Sequence, residues 1–148
     1  MEIERKYFIE TPPDDFAQHP FCQIEQAYLC TSPVVRIRRE DDSFYLTYKS
    51  KGLLSREEHN LPLDEASYLH LLEKADGRIL KKKRYRIPLA DTPYTIELDV
   101  FEGDYEGLIL AEVEFPNEQE ALSFTAPGWF SRDVTFSGEY QNSRLAMM

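Results

Sequence analysis

The sequence of 148 residues predicts a mainly β protein of the α+β class, with an antiparallel sheet of about eight strands closed into a barrel and a few short peripheral helices. Three observations support this fold class. Short stretches rich in Ile, Val, Tyr, Phe and Thr are separated by turn sequences such as Ala90-Asp91-Thr92-Pro93. Charged and apolar residues alternate along seven of these stretches, and few segments carry helix signals. No repeat or linker divides the chain, so residues 1–148 are expected to form one domain.

The composition excludes several classes of protein. Hydrophobic residues make up 42% of the chain, which is enough for a core and argues against wholesale disorder. With 17 Lys and Arg against 27 Asp and Glu, the formal net charge is −10, which disfavours a general nucleic-acid or anionic-membrane binder. No apolar run approaches the roughly 20 residues of a membrane span, and the charged start Glu2-Ile3-Glu4-Arg5-Lys6 is unlike a secretory signal. Since Cys22 and Cys30 form no disulfide framework, a cytoplasmic protein with free thiols is expected.

Two internal segments and the C-terminal tail carry helix signals. From Asp64 to Ala75, Leu69 and Leu72 have helical spacing, which predicts a helix. The segment Asn117 to Phe124 opens with an N-cap residue and has a Glu three positions later, as in a capping box. The tail from Tyr140 to Met148 is expected to add a last helical turn or two.

Each of the seven strand candidates carries charged or polar residues at alternate positions, and in all but the fourth apolar residues alternate with them. In the first candidate, Glu2, Glu4 and Lys6 alternate with Ile3 and Tyr7. The charged and polar faces of all seven are formed by Glu2, Glu4 and Lys6; Arg36 and Arg38; Thr47 and Lys49; Arg56, Glu58 and Asn60; Lys82, Arg84 and Arg86; Glu97 and Asp99; Glu112 and Glu114.

One such strand is typical of an open antiparallel sheet with a face in water. Across seven strands, however, charges occupy nearly every position of that face, and like charges lie two residues apart, which is unfavourable. A multivalent anion and metal cations between the strands would supply the missing partners. We therefore interpret the pattern as a closed barrel whose charged face lines a lumen for one small ligand. The outward apolar faces would be covered by helices, by aromatic side chains or by a second copy of the chain in a homodimer.

The residue types of this charged face point to phosphate chemistry. Clustered carboxylates without His or Cys favour Mg²⁺ or Mn²⁺ over zinc, and clustered Arg and Lys match phosphate oxygens in charge and geometry. Together they indicate metal-assisted phosphoryl transfer on a small-molecule substrate. The sequence has no phosphate-binding glycine loop of the Gly-x-x-x-x-Gly-Lys type and no Ser-His-Asp or Cys-His pattern.

These motifs resemble a known family. Glu2-Ile3-Glu4-Arg5-Lys6 is similar to the Glu-x-Glu-x-Lys signature of the CYTH superfamily, the triphosphate tunnel metalloenzymes, and the likeness is strongest to the short bacterial inorganic triphosphatases. It extends over nearly the whole chain, and charged strands in this order are more specific than the first motif alone. The further matches are Arg36-Ile37-Arg38, Thr47-Tyr48-Lys49, Lys82-Lys83-Arg84-Tyr85, Glu97-Leu98-Asp99, Glu112-Val113-Glu114-Phe115, Val134-Thr135 and Tyr140-Gln141-Asn142. The sequence departs from the family pattern at Asn60, where many members carry a further acid.

The resemblance implies an eight-stranded tunnel, dependence on a divalent metal and roles for individual residues. Glu2, Glu4 and Glu114 are expected to be the principal metal ligands. Glu58, Asp99 and Glu112 would lie near a second metal or the attacking water. The residues expected to bind phosphate are Lys6, Arg36, Arg38, Lys49, Lys82 and Arg84, together with Arg56 as another basic residue of the lumen face.

Lys6 and Tyr28 are the candidate catalytic residues. Tyr28 matches a tyrosine that pairs with the signature lysine in some bacterial members, although an aromatic core residue is an equally good interpretation. Neighbouring arginines and a bound metal would favour a neutral Lys6, while the carboxylates oppose this in the absence of metal. We expect the two residues to orient or deprotonate the attacking water.

The leading hypothesis is an inorganic triphosphatase that releases phosphate and pyrophosphate from tripolyphosphate. A thiamine triphosphatase or a class IV adenylate cyclase, acting on organic triphosphates, is an alternative on the same fold. The cyclase is less favoured because the chain is short and shows no base-recognition insertion. An alternative of another class is a non-catalytic polyphosphate-binding or nucleotide-binding module.

Overall fold

Ten β-strands form one antiparallel sheet in the computed structural model, which describes residues 1–148. Three α-helices and two short 3₁₀ turns, Phe16–Gln18 and Gly103–Tyr105, connect them. The strands are β1 (Glu2–Phe8), β2 (Phe21–Thr31), β3 (Val34–Glu40), β4 (Ser43–Lys49), β5 (Ser55–Arg56), β6 (Glu58–Leu63), β7 (Asp76–Pro88), β8 (Thr95–Glu102), β9 (Ile109–Glu114) and β10 (Arg132–Asp133). The helices are α1 (Glu65–Leu72), α2 (Glu118–Ser123) and α3 (Asn142–Ala146). None of these helices is long and apolar enough to cross a membrane.

The sheet closes almost completely into a barrel. Its strands follow the order β10-β1-β9-β8-β7-β2-β3-β4-β6, and β5 pairs with β1. Because a single residue separates β5 from β6, this segment joins β1 at one end through Glu2 and Arg56, and β4 at the other through Lys49 and Glu58. The predicted antiparallel barrel is thus confirmed, with nine strands along its path rather than eight. The additional strand, β10, is two residues long and pairs with the end of β1.

The helices begin where the sequence predicts. The Asp64 side chain accepts a hydrogen bond from Ser67 N and caps α1, and Asn117 Oδ1 accepts one from Glu120 N at 2.8 Å and caps α2. The apolar contact of α1 agrees with the prediction only in part. Tyr68 is its buried residue, packed against β2 and β3, whereas Leu69 is 52% exposed. The ring of Tyr68 fills the centre of this contact while its hydroxyl donates to Glu25, and Leu72, half-buried, packs beside it as the spacing predicts.

The outward face of the barrel is apolar and is covered by helices and loops. Ile3, Leu98 and Val113 pack on that face with aromatic residues of the segment that follows α2, including Phe124 and Phe130. Since successive side chains of a strand point to opposite faces, this packing leaves the charged set on the inner face. Glu2, Glu4, Lys6, Arg36, Arg38 and Glu112 are accordingly buried although they are charged.

One end of the barrel is closed by apolar residues and by α3. Leu80, Phe101 and Leu110 form a buried cluster there with Leu145 and Ala146 of the helix. A Cβ atom on Gly77 would lie 2.3 Å from the carbonyl oxygen of Ala146, so β7 needs a glycine where α3 approaches it. The charged lumen is therefore a deep cavity with α3 at its floor.

Candidate active site

The barrel encloses a cavity of about 190 Å³ with a strongly charged lining. All of the predicted site residues line it except Lys82 and Asp99. The only hydrophobic residues in the lining are Tyr28, Val34 and Tyr45. The predicted site residues in the lining are Glu2, Glu4, Lys6, Tyr28, Arg36, Arg38, Lys49, Arg56, Glu58, Arg84, Glu112 and Glu114. Such a surface suits a small, highly charged ligand rather than an apolar one.

Three carboxylates converge on one wall of the cavity. Glu4 of β1 lies directly opposite Glu114 of β9, and with Glu2 they offer oxygen atoms that all lie within 4.8 Å of one another. Burial and the carboxylates of Glu112 and Glu2 raise the pKa of Glu4 well above its ordinary value. Burial and the carboxylates of Glu97 and Glu2 raise the pKa of Glu114 to about 7. An all-oxygen donor set whose members repel one another fits a hard divalent cation, which would relieve that repulsion.

Glu2 is fixed by two cations from the strands that close the barrel. Lys49 Nζ lies 3.0 Å from each carboxylate oxygen of Glu2, and the guanidinium of Arg56 lies 3.6 Å from one of them. Lys49 also contacts Glu58 at 3.3 Å. Although burial opposes ionisation of Glu58, Lys49 holds the pKa of that carboxyl below its ordinary value. The two basic residues therefore stabilise the wall formed by Glu2, Glu4 and Glu114, hereafter the acidic wall.

Glu112 lies deeper in the cavity between two further cations. Its carboxylate lies 3.2 Å from Lys6 Nζ and 3.2 Å from Arg84 Nη2. Despite burial, Lys6 and Arg84 hold the pKa of Glu112 well below its usual range. Burial also opposes the charge on Lys6, but Glu112 and Glu4 outweigh it and raise the pKa of Lys6. Lys6 is thus a protonated donor, as expected where the carboxylates are not neutralised by metal.

Lys6 and Tyr28 both line the cavity but do not bond to each other. Lys6 Nζ donates to the Tyr140 carbonyl at 3.2 Å in addition to Glu112. The hydroxyl of Tyr28 accepts a hydrogen bond from Gln26 Nε2 at 3.1 Å, and its ring packs in the apolar cluster at the floor. Tyr28 therefore combines a core position with a polar tip in the cavity.

The wall formed by β3 carries two cations without acidic partners. Arg36 donates to Thr47 Oγ1 at 3.3 Å, and its Nε is buried with no hydrogen-bond partner. Arg38 is held by neutral groups, the side-chain oxygens of Gln26 and Tyr45. Burial and the neighbouring charge of Arg38 lower the pKa of Arg36. Two buried cations with unused N–H groups form a binding surface for an anion with several oxygens.

Lys82 and Asp99 form a buried ion pair behind the cavity wall. Lys82 Nζ lies 2.7 Å from Asp99 Oδ2, and neither side chain is exposed. Arg84 also binds Asp99, at 2.7 Å through Nε and 2.9 Å through Nη2. Burial lowers the pKa of Lys82 to about 7 although Asp99 opposes this shift. Because Lys82 lies opposite Phe101 on β8, its side chain meets the closed end of the barrel rather than the cavity.

Several residues of the site are outside the predicted set. Arg86 and Glu97, which the alternation placed on the charged face, lie in the lining. Gln26, Tyr45 and Asn142 contact the predicted residues but were given no role. For Gln26, the sequence feature that could have indicated a role is a polar residue inside the strand Gln26-Ala27-Tyr28.

Comparison with known proteins agrees with this geometry. The family model described as the CYTH domain matches residues 1–140. The chain belongs to the CYTH family. A protein named inorganic triphosphatase from Nitrosomonas europaea is 38% identical over 149 aligned positions, which cover 99% of this chain and 97% of that protein. A second inorganic triphosphatase, from Acetivibrio thermocellus, is 38% identical over 116 positions, which cover 75% of this chain and 70% of that protein.

Two solved structures have the same architecture. A crystal structure described as an inorganic triphosphatase superposes with a TM-score of 0.74 at 34% identity and covers 100% of this chain and 95% of its own. A putative adenylate cyclase from Bacillus halodurans superposes with a TM-score of 0.64 at 18% identity and covers 100% of this chain and 92% of its own. The second likeness supports the fold alone. The family assignment and the barrel that the sequence predicts are thus confirmed.

Proposed function

We propose that this CYTH protein is a metal-dependent inorganic triphosphatase that hydrolyses tripolyphosphate to phosphate and pyrophosphate. One observation carries the proposal: the unpaired cations Arg36 and Arg38 share a buried cavity with the carboxylates of Glu2, Glu4 and Glu114. A triphosphate with bound metal presents negative oxygens to the first group and a cation to the second. The names of two relatives that are 38% identical support the same activity.

The acidic wall is the proposed metal site. Glu2, Glu4 and Glu114 would hold Mg²⁺ or Mn²⁺, because these ions prefer carboxylate oxygens and keep several waters. When bound, such a cation neutralises charge on the phosphate oxygens of the reacting centre. Glu58 and Glu112 line the same cavity and could serve a second metal or the water. Asp99 is committed to Lys82 and Arg84, so we assign it a supporting rather than a direct role.

The basic residues have two proposed roles. Arg36 and Arg38 bind phosphate oxygens directly. Lys49, Arg56 and Arg84 fix the acidic wall and also present charge to the anion. Lys6, held at Glu112, is placed to orient the attacking water together with Tyr28. It can accept a proton from that water only in its neutral form, which a metal that neutralises the carboxylates would favour.

The small polar cavity favours an inorganic substrate over an organic one. Only Tyr28, Val34 and Tyr45 offer apolar surface in the lining, which leaves little to hold a thiazole ring or a nucleobase. A thiamine triphosphatase or adenylate cyclase would need such a surface at the mouth. A non-catalytic binding module would have no use for a converging set of three carboxylates beside the anion site.

The proposal extends to the domain organisation, the partners and the cellular location of the protein. We propose that residues 1–148 act as one tunnel domain, without nucleic-acid or membrane partners. The free thiols of Cys22 and Cys30 suit the reducing conditions of the cytoplasm. Exposed apolar side chains such as Leu61 and Leu122 on the outer surface would be covered in a homodimer.

A substrate panel tests the proposed function. Tripolyphosphate, ATP, thiamine triphosphate and pyrophosphate are compared with Mg²⁺ and with Mn²⁺, and phosphate release is measured with and without chelator. We expect tripolyphosphate to have the highest kcat/KM and the chelator to abolish activity. A higher kcat/KM for cyclic AMP formation from ATP, or activity that persists in chelator, would contradict the proposal.

A further inference from the structure

A chain of polar side chains, buried except for the half-buried Asn142, runs from the ion pair at the closed end of the barrel to Arg38 in the cavity. Lys82 Nζ donates to Asn142 Oδ1 at 3.0 Å. The same oxygen accepts from Gln26 Nε2 at 3.2 Å. Gln26 Oε1 in turn accepts from Arg38 Nε at 2.9 Å and from Arg38 Nη2 at 2.6 Å. The chain therefore links the Lys82–Asp99 pair, the first residue of α3 and an arginine of the anion site.

Gln26 is placed to control Arg38 without entering the cavity. It is fully buried and lies directly opposite Arg38 in the pairing of β2 with β3. Its oxygen binds one edge of the guanidinium, and Tyr45 Oη accepts from Nη1 at 3.3 Å. A guanidinium carries five N–H donors, and these contacts use three of them. The other two remain for a ligand in the cavity that Arg38 lines.

The orientation of the Gln26 amide follows from its neighbours. Lys82 and Arg38 at the two ends of the chain can only donate hydrogen bonds. Lys82 therefore fixes Asn142 with its oxygen toward Lys82 and Gln26, and Gln26 must direct its NH₂ group to Asn142 and its oxygen to Arg38. Reversing the Gln26 amide would leave two donors facing each other at Arg38, which is costly in a buried position.

An amide at position 26 also preserves the charge of Arg38. A carboxylate in the same place would form a buried ion pair with the guanidinium and compete with phosphate oxygens. A neutral acceptor orients the side chain but leaves its positive charge for the ligand. This explains why Arg38 is buried beside a polar partner and yet forms no ion pair.

We propose that Gln26 is a positioning residue that directs Arg38 toward the substrate phosphate, and that Asn142, held by Lys82, fixes the orientation of Gln26. The proposal rests on the proposed function in one respect, the binding of phosphate by Arg38. It assigns a role to Lys82 and Asp99, which lie outside the cavity lining, and it makes α3 part of the anion site through its first residue.

A double-mutant cycle of Gln26 with Arg38 tests the proposal. Steady-state kinetics with tripolyphosphate are measured for wild type, Gln26→Met, Arg38→Ala and the double variant, with Gln23→Met as a matched control on the same strand. Gln23 bonds to Glu102 and does not line the cavity. We expect Gln26→Met to raise KM about tenfold with a smaller change in kcat, from the loss of hydrogen bonds to a charged group. Gln23→Met should leave both constants near wild type.

The cycle separates positioning from a general structural effect. If Gln26 acts through Arg38, Gln26→Met lowers kcat/KM much less in the Arg38→Ala background than in wild type. Equal losses in both backgrounds, or no loss in the wild-type background, would overturn the proposal. If Arg38→Ala leaves KM unchanged while the wild type is active, Arg38 does not bind the substrate phosphate. That outcome refutes the role of Arg38 and is separate from a failure of Gln26 as a positioning residue. Inactivity of the wild type toward tripolyphosphate would instead refute the proposed function.

A second variant covers the case in which Gln26→Met does not fold. Gln26→Glu keeps the side-chain shape and an acceptor for Arg38. Its carboxylate, however, forms an ion pair with the guanidinium and so offsets the positive charge of Arg38. We expect a rise in KM of about tenfold or more, because a guanidinium paired with a carboxylate binds phosphate oxygens less strongly. An unchanged KM for Gln26→Glu would overturn the proposal.

Discussion

Arg36 and Arg38 lie two residues apart on one strand and line the same cavity, yet neither guanidinium forms an ion pair. Every other cation of the lining has a carboxylate within 4.0 Å, including Lys6, Lys49, Arg56, Arg84 and Arg86. Buried charges are usually paired, so this arrangement costs stability in the absence of an anion. The two arginines therefore mark where the anionic ligand binds.

Removing one of these arginines should stabilise the protein and impair binding. We expect Arg36→Met to raise the free energy of unfolding by about 1–3 kcal/mol, the cost of one unsatisfied buried group. Thermal unfolding without ligand measures this gain. The rise in melting temperature that tripolyphosphate with Ca²⁺ gives the wild type should be smaller in the variant.

The control for this substitution is Arg39→Met, which changes the neighbouring arginine on the outer face of β3. Arg39 is half-exposed and bonds to the carbonyl of Asp41. Its replacement should change neither the stability nor the ligand response appreciably. A lower melting temperature for Arg36→Met than for wild type would show that Arg36 is not an uncompensated charge.

The metal site makes a second prediction. Glu114→Gln keeps the side-chain shape but removes one charge of the proposed ligand set, so kcat should fall by about 100-fold or more. Glu106→Gln, in an exposed loop, is the matched control and should retain wild-type rates. Phosphate release under saturating tripolyphosphate and Mg²⁺ is the measurement. Equal activity of the two variants would place Glu114 outside the metal site.

The parts of the fold that the sequence reveals are those in which charged and apolar residues alternate. β1, β3, β7, β8 and β9 each carry two or three charges at alternate positions, so both the strand and its inward face could be predicted. β2 has no such pattern. Gln23 and Glu25 lie on one face and Gln26 on the other, and the register with both neighbours shifts around Tyr28.

Depth along the barrel cannot be read from alternation. Lys82 and Arg84 share a face, yet only Arg84 reaches the cavity, because α3 and its apolar cluster close the end at which Lys82 lies. The same closure brings Asn142 beside Gln26, two residues that are far apart in the sequence. Such contacts depend on the packing of the C-terminal segment and not on any local pattern.

The acidic wall predicts a pH dependence of metal binding. Glu114 has a pKa of about 7 in the structure, so below that pH a metal ion must displace its proton. Affinity for Mn²⁺ should therefore rise between about pH 6 and pH 8 and then level off. Calorimetry in buffers of different ionisation enthalpy should detect proton release near neutral pH. An affinity independent of pH over this range would contradict the assignment.

The same shift has a defined effect on the stability of the metal-free protein. The native state holds the Glu114 proton more tightly than the unfolded chain, whose ordinary pKa is 4.5. This group contributes stability that is fully present below pH 4.5, and the contribution is lost as the pH rises to about 7. In the Glu114→Gln variant this part of the pH dependence should disappear.

A pH–rate profile distinguishes the two interpretations of Tyr28. If Lys6 and Tyr28 together activate water, Lys6→Met and Tyr28→Phe should both lower kcat and both alter the alkaline limb of the profile under saturating substrate. Lys6→Met should have the larger effect, because Lys6 also contacts Glu112. If Tyr28→Phe leaves the height and the alkaline limb unchanged, Tyr28 is a packing residue, and a carboxylate with the metal must activate the water.

The most direct test of the account is a crystal structure of the protein with tripolyphosphate and Mn²⁺, with the metal located by anomalous scattering. We predict Mn²⁺ within about 2.0–2.6 Å of oxygens of Glu2, Glu4 and Glu114. The phosphate oxygens should bond to Arg36 and Arg38 inside the same cavity. Metal bound away from these three carboxylates, or phosphate without contact to either arginine, would contradict the account.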